Sequence, residues 1–292
     1  MVNITAGMVK ELRERTGLGM MDCKKALTEA DGDMEKAIDD LRKASGIKAA
    51  KKASRVAAEG VVLTKIAEDG NYGVVIEINS ETDFAARDDN FLSFAQRALE
   101  LAYSNSEADV AGLLGAGLED ARSALVQKIG ENCNVRRVER LQLTGDSAGI
   151  VESYVHSNNR IAVLISVTGG DEALARDVAM HIAAVNPLVI RVEDVPEEDI
   201  AKETEIYSAQ ARESGKPEEI IEKMITGRLR KFVAEVSLLE QPFVKDPDVT
   251  VGKLLKNAGA SVVQFARFEV GEGIEKEEID FADEVAAQIK GS

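Results

Sequence analysis

One succession of predicted elements occurs twice between residues 60 and 270, and this repetition constrains the fold more than any other feature of the chain. In each copy, two strands joined by a tight turn are followed by two helices and a third strand. The turns are Asp69-Gly70 in the first copy and Ser157-Asn158-Asn159 in the second. Arg137-Val138-Glu139 in the first copy is paralleled by Arg267-Phe268-Glu269 in the second. We infer two copies of one α/β unit, each built on an antiparallel sheet.

The second copy is interrupted by two amphipathic helical segments. Asp194 is predicted to cap the first, which starts near Pro196, and Gly215-Lys216-Pro217 separates it from the second. Because the connection is short, the two helices should form an antiparallel hairpin. Their outer faces are rich in Glu and Lys, so the hairpin is expected to project into solvent.

The first 43 residues predict three short helices. Thr5 and Asp33 are placed to cap the first and third, and Gly17-Leu18-Gly19 ends the first. Met20 and Met21 stand at the start of the second helix. They belong either to the core of this small module or to a docking surface, since methionine side chains adapt to a partner. The following stretch, Ala44–Arg55, is predicted to be a helical, solvated linker, with a basic patch for an acidic partner as the alternative.

The predicted architecture is therefore α+β, with five parts along the chain. These parts are a three-helix N-terminal domain with its linker (1–54), a first core subdomain (55–143), a second core subdomain (144–193 and 234–270), the inserted hairpin (194–233) and a C-terminal module (271–292) whose helix carries Phe281, Val285 and Ile289.

Composition excludes several classes of protein. The formal net charge is −16. Residues 1–55 hold 12 basic and 9 acidic residues, which leaves 24 basic and 43 acidic residues in the remainder. Direct nucleic-acid binding is not expected from so acidic a chain, because phosphate contacts need clustered Lys and Arg. With no apolar run of the ~18 residues that a membrane span needs and no signal-peptide pattern, we expect a cytoplasmic protein with no membrane partner.

Catalytic chemistry has little support in the sequence. His156 and His181 have no Ser or Cys nucleophile motif beside them, and Cys23 and Cys133 show neither zinc-ligand spacing nor a disulfide framework. His181 is predicted to be a satisfied, partly buried side chain, whereas His156 ends a strand and should be more exposed. Two alternatives stay open. One is an enzyme that uses acidic residues with His156, and the other is a scaffold or RNA-associated protein that uses the basic stretch.

The segment Ser80-Glu81-Thr82-Asp83-Phe84 directly follows a predicted buried strand. Its local sequence favours a Phe84 side chain that packs back on its own domain. An exposed Phe84 beside Asp83 would instead suit an anchor at a protein interface.

Two long runs of residues resemble motifs of one family. Leu12 to Leu27, with the sequence LRERTGLGMMDCKKAL, and Glu77 to Phe84, with the sequence EINSETDF, are similar to the two motifs of bacterial elongation factor Ts, and Gly271 to Lys276 is also similar to that family. The resemblance spans essentially the whole chain. It implies a three-helix N-module like the ubiquitin-associated domain, two related core subdomains, an inserted hairpin and a C-terminal module. Ala85 departs from the family, which usually has Val after the Phe.

The resemblance implies guanine-nucleotide exchange on elongation factor Tu, with no cofactor and no covalent chemistry. The loop of Thr82, Asp83, Phe84 and Ala85 would reach the magnesium and nucleotide region of that GTPase, with Phe84 as a wedge and Asp83 disturbing the groups that hold the metal. The N-module would bind through Leu12, Met20 and Met21, and the second subdomain through His156. The C-terminal helix would also dock on the GTPase. A homodimer within an assembly of the two factors is left open.

Overall fold

A computed structural model describes residues 3–143, 149–213 and 217–275. The helices are α1 (Ala6–Thr16), α2 (Met20–Glu29), α3 (Met34–Lys52), α4 (Asp89–Ser104), α5 (Val110–Leu113), α6 (Glu119–Ile129), α7 (Glu172–Val185), α8 (Glu197–Glu213), α9 (Glu218–Val236) and α10 (Val251–Asn257). The strands are β1 (Glu59–Ile66), β2 (Tyr72–Ser80), β3 (Cys133–Gln142), β4 (Gly149–Val155), β5 (Ile161–Thr168), β6 (Pro242–Phe243), β7 (Asp246–Thr250) and β8 (Ser261–Glu269). The fold is a mixture of helices and small antiparallel sheets, as α+β requires.

The two halves of the core contain sheets of the same design. One three-stranded sheet has the order β1-β2-β3 and the other has the order β4-β5-β8, with antiparallel pairing throughout. Each central strand also has one shift in register, between Glu77 and Ile78 in β2 and between Ser166 and Val167 in β5. The predicted strands and helices occur in the predicted order in both copies, but the structure adds the short helix α5 to the first and the two-stranded sheet β6-β7 to the second. The matching irregularities are consistent with a duplication.

The two sheets pack face to face through a shared apolar layer. Val62, Val75 and Leu141 of the first sheet meet Val151, Leu164 and Phe268 of the second in this layer. The outer face of the first sheet packs against α4 and α6, and that of the second packs against α7 and α10. Strand β5 is therefore buried on both faces, as its continuous apolar run predicts.

Gly73 allows the two sheets to approach closely. A Cβ atom at this position would lie 2.7 Å from Ile66 Cδ1, 2.8 Å from Leu164 Cδ1 and 2.9 Å from Val151 Cγ1. Three side chains from both sheets would therefore have to move to admit even a methyl group.

We expect Gly73→Ala to lower the free energy of unfolding by about 1–3 kcal/mol, because the added methyl group overpacks the layer between the sheets. Urea denaturation followed by circular dichroism measures this change. Gly227→Ala is the matched control, since Gly227 lies within α9 and an added Cβ there meets nothing within 4 Å. The control should be neutral or stabilising by about 0.5–1 kcal/mol. Equal urea midpoints for Gly73→Ala and the unsubstituted protein would contradict this account of the layer.

The N-terminal module has a small core of its own. Val9, Leu12, Leu18, Cys23 and Leu27 are among its buried side chains. The two predicted caps are confirmed by hydrogen bonds, since Thr5 Oγ1 accepts from the amide of Met8 at 3.3 Å and Asp33 Oδ1 accepts from the amide of Lys36 at 3.0 Å.

The predicted solvated linker is instead largely part of α3, which packs against α6. Ser45 is buried and its hydroxyl donates to Gln127, while Arg42 pairs with Asp120. Ala49 belongs to the core cluster beneath the first sheet. The prediction of a helix is confirmed, but one face of that helix is buried because small side chains let it approach the core.

Helices α8 and α9 lie side by side. Arg228 of α9 donates to Gln210 Oε1 of α8 at 2.7 Å, and its guanidinium lies 5.7 Å from the centroid of the Tyr207 ring. The prediction that Asp194 caps α8 is wrong. Its carboxylate accepts from the Arg191 amide at 3.1 Å within the turn Val192–Asp194, and α8 begins only at Glu197. The predicted C-terminal helix with Phe281, Val285 and Ile289 lies outside the described residues.

His181 is a structural side chain, fully buried between α7 and the segment after α9. Its Nδ1 accepts a hydrogen bond from the amide of Val244 at 3.2 Å, so the proton sits on Nε2, which donates to Gln241 Oε1 at 2.9 Å. Burial lowers the pKa of His181 and outweighs the opposing effect of the Gln241 bond. The ring is therefore neutral near pH 7 and both of its nitrogens are used by the fold.

No helix among the residues that the structure describes is long and apolar enough to cross a membrane. They also contain no group of three or more His, Cys, Asp and Glu side chains arranged to hold a metal ion. Cys23 and Cys133 are both buried free thiols, and burial raises the pKa of Cys133 to about 12.

Candidate functional site

The loop between β2 and α4, residues 81–88, presents a large apolar side chain to solvent. Phe84 is 81% exposed, more than any other large apolar side chain in the described part of the chain. The prediction that Phe84 packs back on its own domain is therefore wrong. The reason is the direction of the loop, which the sequence of the loop does not reveal. An aromatic side chain held in water in this way has the properties of an interface anchor.

The backbone beside Phe84 is fixed to the domain. Ala85 and Ala86 are 5% and 7% exposed, in the short 3₁₀ turn Ala85–Arg87. Asp88 then caps α4, where its carboxylate accepts from the Asn90 amide at 2.8 Å, and hydrogen bonds from the Asn90 side chain and amide lower the pKa of Asp88. Phe84 thus projects from an ordered turn that leads directly into a helix.

Two pairs of hydrogen-bonded residues join the 81–88 loop to the segment between α6 and β3. The Glu131 carboxylate accepts from the Thr82 amide at 2.9 Å and from the Thr82 hydroxyl at 2.7 Å. In the other direction, Glu81 Oε1 accepts from the amide of Asn132 at 2.6 Å. We call these four residues the carboxylate clasp. The Thr82 hydroxyl also accepts from the Ala85 amide at 3.2 Å, which links the clasp to the turn beside Phe84.

Asp83 lies in the same loop and pairs with Arg87 at 2.8 Å. Both side chains are substantially exposed, and such pairs contribute only about 0–1 kcal/mol to stability. Asp83 can therefore exchange Arg87 for another cationic or hydrogen-bonding group at little expense to the fold.

Met20 and Met21 form a second candidate surface at the start of α2. They are 60% and 76% exposed and line a groove together with Val9, and the basic side chains of Lys10, Arg13 and Lys24 lie around it. This exposure excludes both methionines from the core of the module, and their role in a docking surface stays a prediction. The assignment of Leu12 to that surface needs correction, because Leu12 is fully buried in the core of the module and offers no atoms for contact.

His156 lies on a third surface, at the end of β4. It is exposed, and its Nδ1 is 3.2 Å from the hydroxyl of Tyr154. The turn that follows is tied to the other sheet, since Asn159 O accepts from the Val62 amide at 2.8 Å. Phe84, the two methionines and His156 thus stand on different elements, and each is exposed.

Sequence reasoning missed the clasp residues Glu81, Glu131 and Asn132. Glu131 and Asn132 directly follow Gly130, which ends α6 with a φ of +84°, and they directly precede β3. Two polar residues at such a junction were the available signal, but their partners lie about fifty positions away in the chain.

Known proteins of one family are similar to this chain along its whole length. The family model described as Elongation factor TS matches residues 81–272. The elongation factor Ts of Hahella chejuensis is 64% identical over 291 residues and that of Teredinibacter turnerae 62% over 290, with 98% or more of both chains covered. The elongation factor Ts of Thioalkalivibrio sulfidiphilus is 53% identical, with all of each chain covered. On this evidence the chain belongs to the elongation factor Ts family of translation elongation factors.

Proposed function

We propose that the protein binds elongation factor Tu in its GDP form and promotes the release of GDP, so that GTP can replace it. The observation that carries the proposal is the Phe84 side chain, which is 81% exposed on a backbone fixed at both ends. Phe84 enters an apolar site of the GTPase, and Asp83 disturbs the groups that hold its magnesium ion.

Linkage sets the energetics of this function. A protein that weakens nucleotide binding is itself bound more weakly when the nucleotide is present, by the same factor. A release rate that is about 10⁴-fold faster requires roughly 5.5 kcal/mol less activation free energy. Burial of one Phe supplies only ~1.5–3 kcal/mol. The remainder therefore comes from other contacts that fit the nucleotide-free GTPase better, and Met20, Met21 and His156 are the exposed groups that we assign to them.

Exchange of a bound nucleotide makes and breaks no covalent bond in this protein, so the function is not that of an enzyme with a catalytic side chain. The RNA-associated alternative has less support from the geometry of the basic stretch. Lys52 donates to the carbonyl of Gly130, and Arg55 lies 3.4 Å from the Glu81 carboxylate, so both cations are engaged within the protein. We expect the protein to act in the cytoplasm, and a homodimer stays a prediction.

The decisive experiment is the release of fluorescent GDP from purified elongation factor Tu, with and without this protein. Catalytic amounts of this protein should accelerate release. Release at the intrinsic rate, with both proteins shown to be folded, would refute the proposed function.

We expect the double variant Met20→Ser/Met21→Ser to slow exchange at subsaturating concentrations by about 10-fold, because the interface would lose two thioether side chains that the partner partly buries. Its melting temperature should barely change, since both side chains are exposed in the free protein. Ile47→Ala is the control, because Ile47 is also exposed on the N-terminal module, at 59%, but lies on α3. Equal activity of the double variant and the control would exclude Met20 and Met21 from the interface.

A further inference from the structure

We infer that Glu131 is a positioning residue for nucleotide exchange, one that keeps the 81–88 loop in the conformation that presents Phe84. The inference rests on the proposed function and assigns a role to a residue outside the loop itself. Glu131 is half-buried, and both of its carboxylate oxygens accept hydrogen bonds from Thr82. The side chain is therefore directed at its own protein.

The clasp continues the ladder of the first sheet beyond its last backbone pair. Strands β2 and β3 pair Ile78 with Val135, Asn79 with Asn134 and Ser80 with Cys133. The next positions in the same register are Glu81 opposite Asn132 and Thr82 opposite Glu131, which are the two pairs of the clasp. There the acceptors are side-chain carboxylates instead of backbone carbonyls. The chain can thus leave the sheet at Thr82 while both amides keep a partner.

The clasp reaches Phe84 through Thr82. The hydroxyl of Thr82 donates to Glu131 and also accepts from the amide of Ala85, and the carbonyl of Thr82 accepts from the Ser80 hydroxyl at 3.0 Å and from the Ala86 amide at 3.2 Å. The amide, the hydroxyl and the carbonyl of Thr82 are therefore all hydrogen-bonded, and their partners lie both before and after Asp83 and Phe84 in the chain. Without Glu131 the amide and the hydroxyl of Thr82 lose their acceptor, and the start of the loop is no longer tied to the segment before β3.

A loop that samples many conformations binds more weakly, because the binding-competent one is only a fraction of the population. Charge-assisted hydrogen bonds of this kind are the stronger class in proteins. We expect Glu131→Ala to lower the rate of exchange at subsaturating concentrations by about 10-fold. The core of the domain does not depend on the clasp, so the melting temperature should fall by about 4 °C or less.

The test compares GDP release from elongation factor Tu for six proteins: the unsubstituted chain, Glu131→Ala, Glu131→Gln, Phe84→Ala, the double variant Glu131→Ala/Phe84→Ala and the control Glu139→Ala. Gln has the same length as Glu, and its amide can accept from the Thr82 amide and donate to the Thr82 hydroxyl, so Glu131→Gln should recover most of the lost activity. Glu139→Ala, which removes an exposed carboxylate from β3, the strand that begins two residues after Glu131, controls for the change in charge. Hydrogen exchange of the Thr82 amide reports on the clasp without any partner.

A positioning role predicts non-additive effects. Glu131→Ala should slow exchange in the unsubstituted chain but add little to Phe84→Ala, because the side chain that it positions is already absent. Hydrogen exchange at Thr82 should accelerate in Glu131→Ala and stay unchanged in Phe84→Ala. Full activity of Glu131→Ala, or an equal further loss on the Phe84→Ala background, would overturn the inference. If the unsubstituted protein releases no GDP, the proposed function fails and the role of Glu131 in exchange fails with it, whereas hydrogen exchange at Thr82 still shows whether the clasp orders the loop.

Discussion

Phe84→Ala is expected to slow the release of GDP from elongation factor Tu by roughly 10- to 150-fold, because the variant loses ~1.5–3 kcal/mol of burial in the partner. The stability of the protein itself should hardly change. Phe84 is 81% exposed, and substitutions at exposed positions usually alter the free energy of unfolding by within about 0.5 kcal/mol. Release kinetics and melting temperature are to be measured on the same preparation.

Phe94→Ala is the matched control for this substitution. Phe94 lies on α4 and is 5% exposed in the core beneath the first sheet, so its truncation should lower the free energy of unfolding by about 3–5 kcal/mol. The two variants remove the same atoms and should have opposite profiles of activity and stability. A Phe84→Ala variant that melts much earlier but still accelerates GDP release like the unsubstituted protein would mean that Phe84 belongs to the fold and not to the interface.

Glu77→Ala is expected to lower the free energy of unfolding by about 3–5 kcal/mol, the typical result of breaking a buried ion pair on one side. The Glu77 side chain is fully buried, and its carboxylate accepts from Arg136 at 3.0 Å and from Arg137 at 2.5 Å. It also accepts from the Asn79 side chain at 3.0 Å and from the Gly271 amide at 2.8 Å. Removal leaves two guanidinium groups, the side-chain amide of Asn79 and the backbone amide of Gly271 without their shared acceptor. Urea denaturation at pH 7 measures the loss.

The same carboxylate makes stability depend on pH. Burial alone would raise the pKa of Glu77, but the hydrogen bonds from Gly271, Asn79 and Arg137 together outweigh burial and lower it. A lowered pKa in the folded state means that this stabilisation is present above the unfolded pKa of ~4.3 and is lost as the pH falls through the folded value.

Glu77→Gln keeps one acceptor oxygen and removes the titration. It should be less stable than the unsubstituted protein at pH 7, and the difference should shrink as the pH falls below about 4. A constant difference between pH 7 and pH 3, or a Glu77→Ala variant as stable as the unsubstituted chain, would show that the arginines find other partners.

Local chemistry explains which parts of the fold could be predicted from sequence. Helix caps such as Thr5 and Asp33 act over three residues, so their prediction needs no knowledge of the tertiary structure. Asp194 shows the limit of that reasoning, because the same type of side chain can close a neighbouring turn instead.

Prediction of the candidate site from the sequence was harder than prediction of the helix caps, because the site depends on tertiary contacts. An apolar residue on a helix, such as Leu12, and one in a polar loop, such as Phe84, differ in burial only through what packs around them. The family resemblance identified the loop correctly as an exposed feature but also assigned the buried Leu12 to a contact surface. The carboxylate clasp joins residues that are 49 and 51 positions apart, and no local pattern reports such a pairing.

The bond between Val62 and Asn159 has a mechanical consequence. It fastens the turn beside His156 to β1, and β1 pairs with β2, from which the Phe84 loop emerges. A continuous path of backbone hydrogen bonds therefore holds two of the proposed contact points, Phe84 and His156, at a fixed separation. On the proposed function, a GTPase whose two contact regions are differently spaced has to change its own conformation to bind both, and that change opens its nucleotide site.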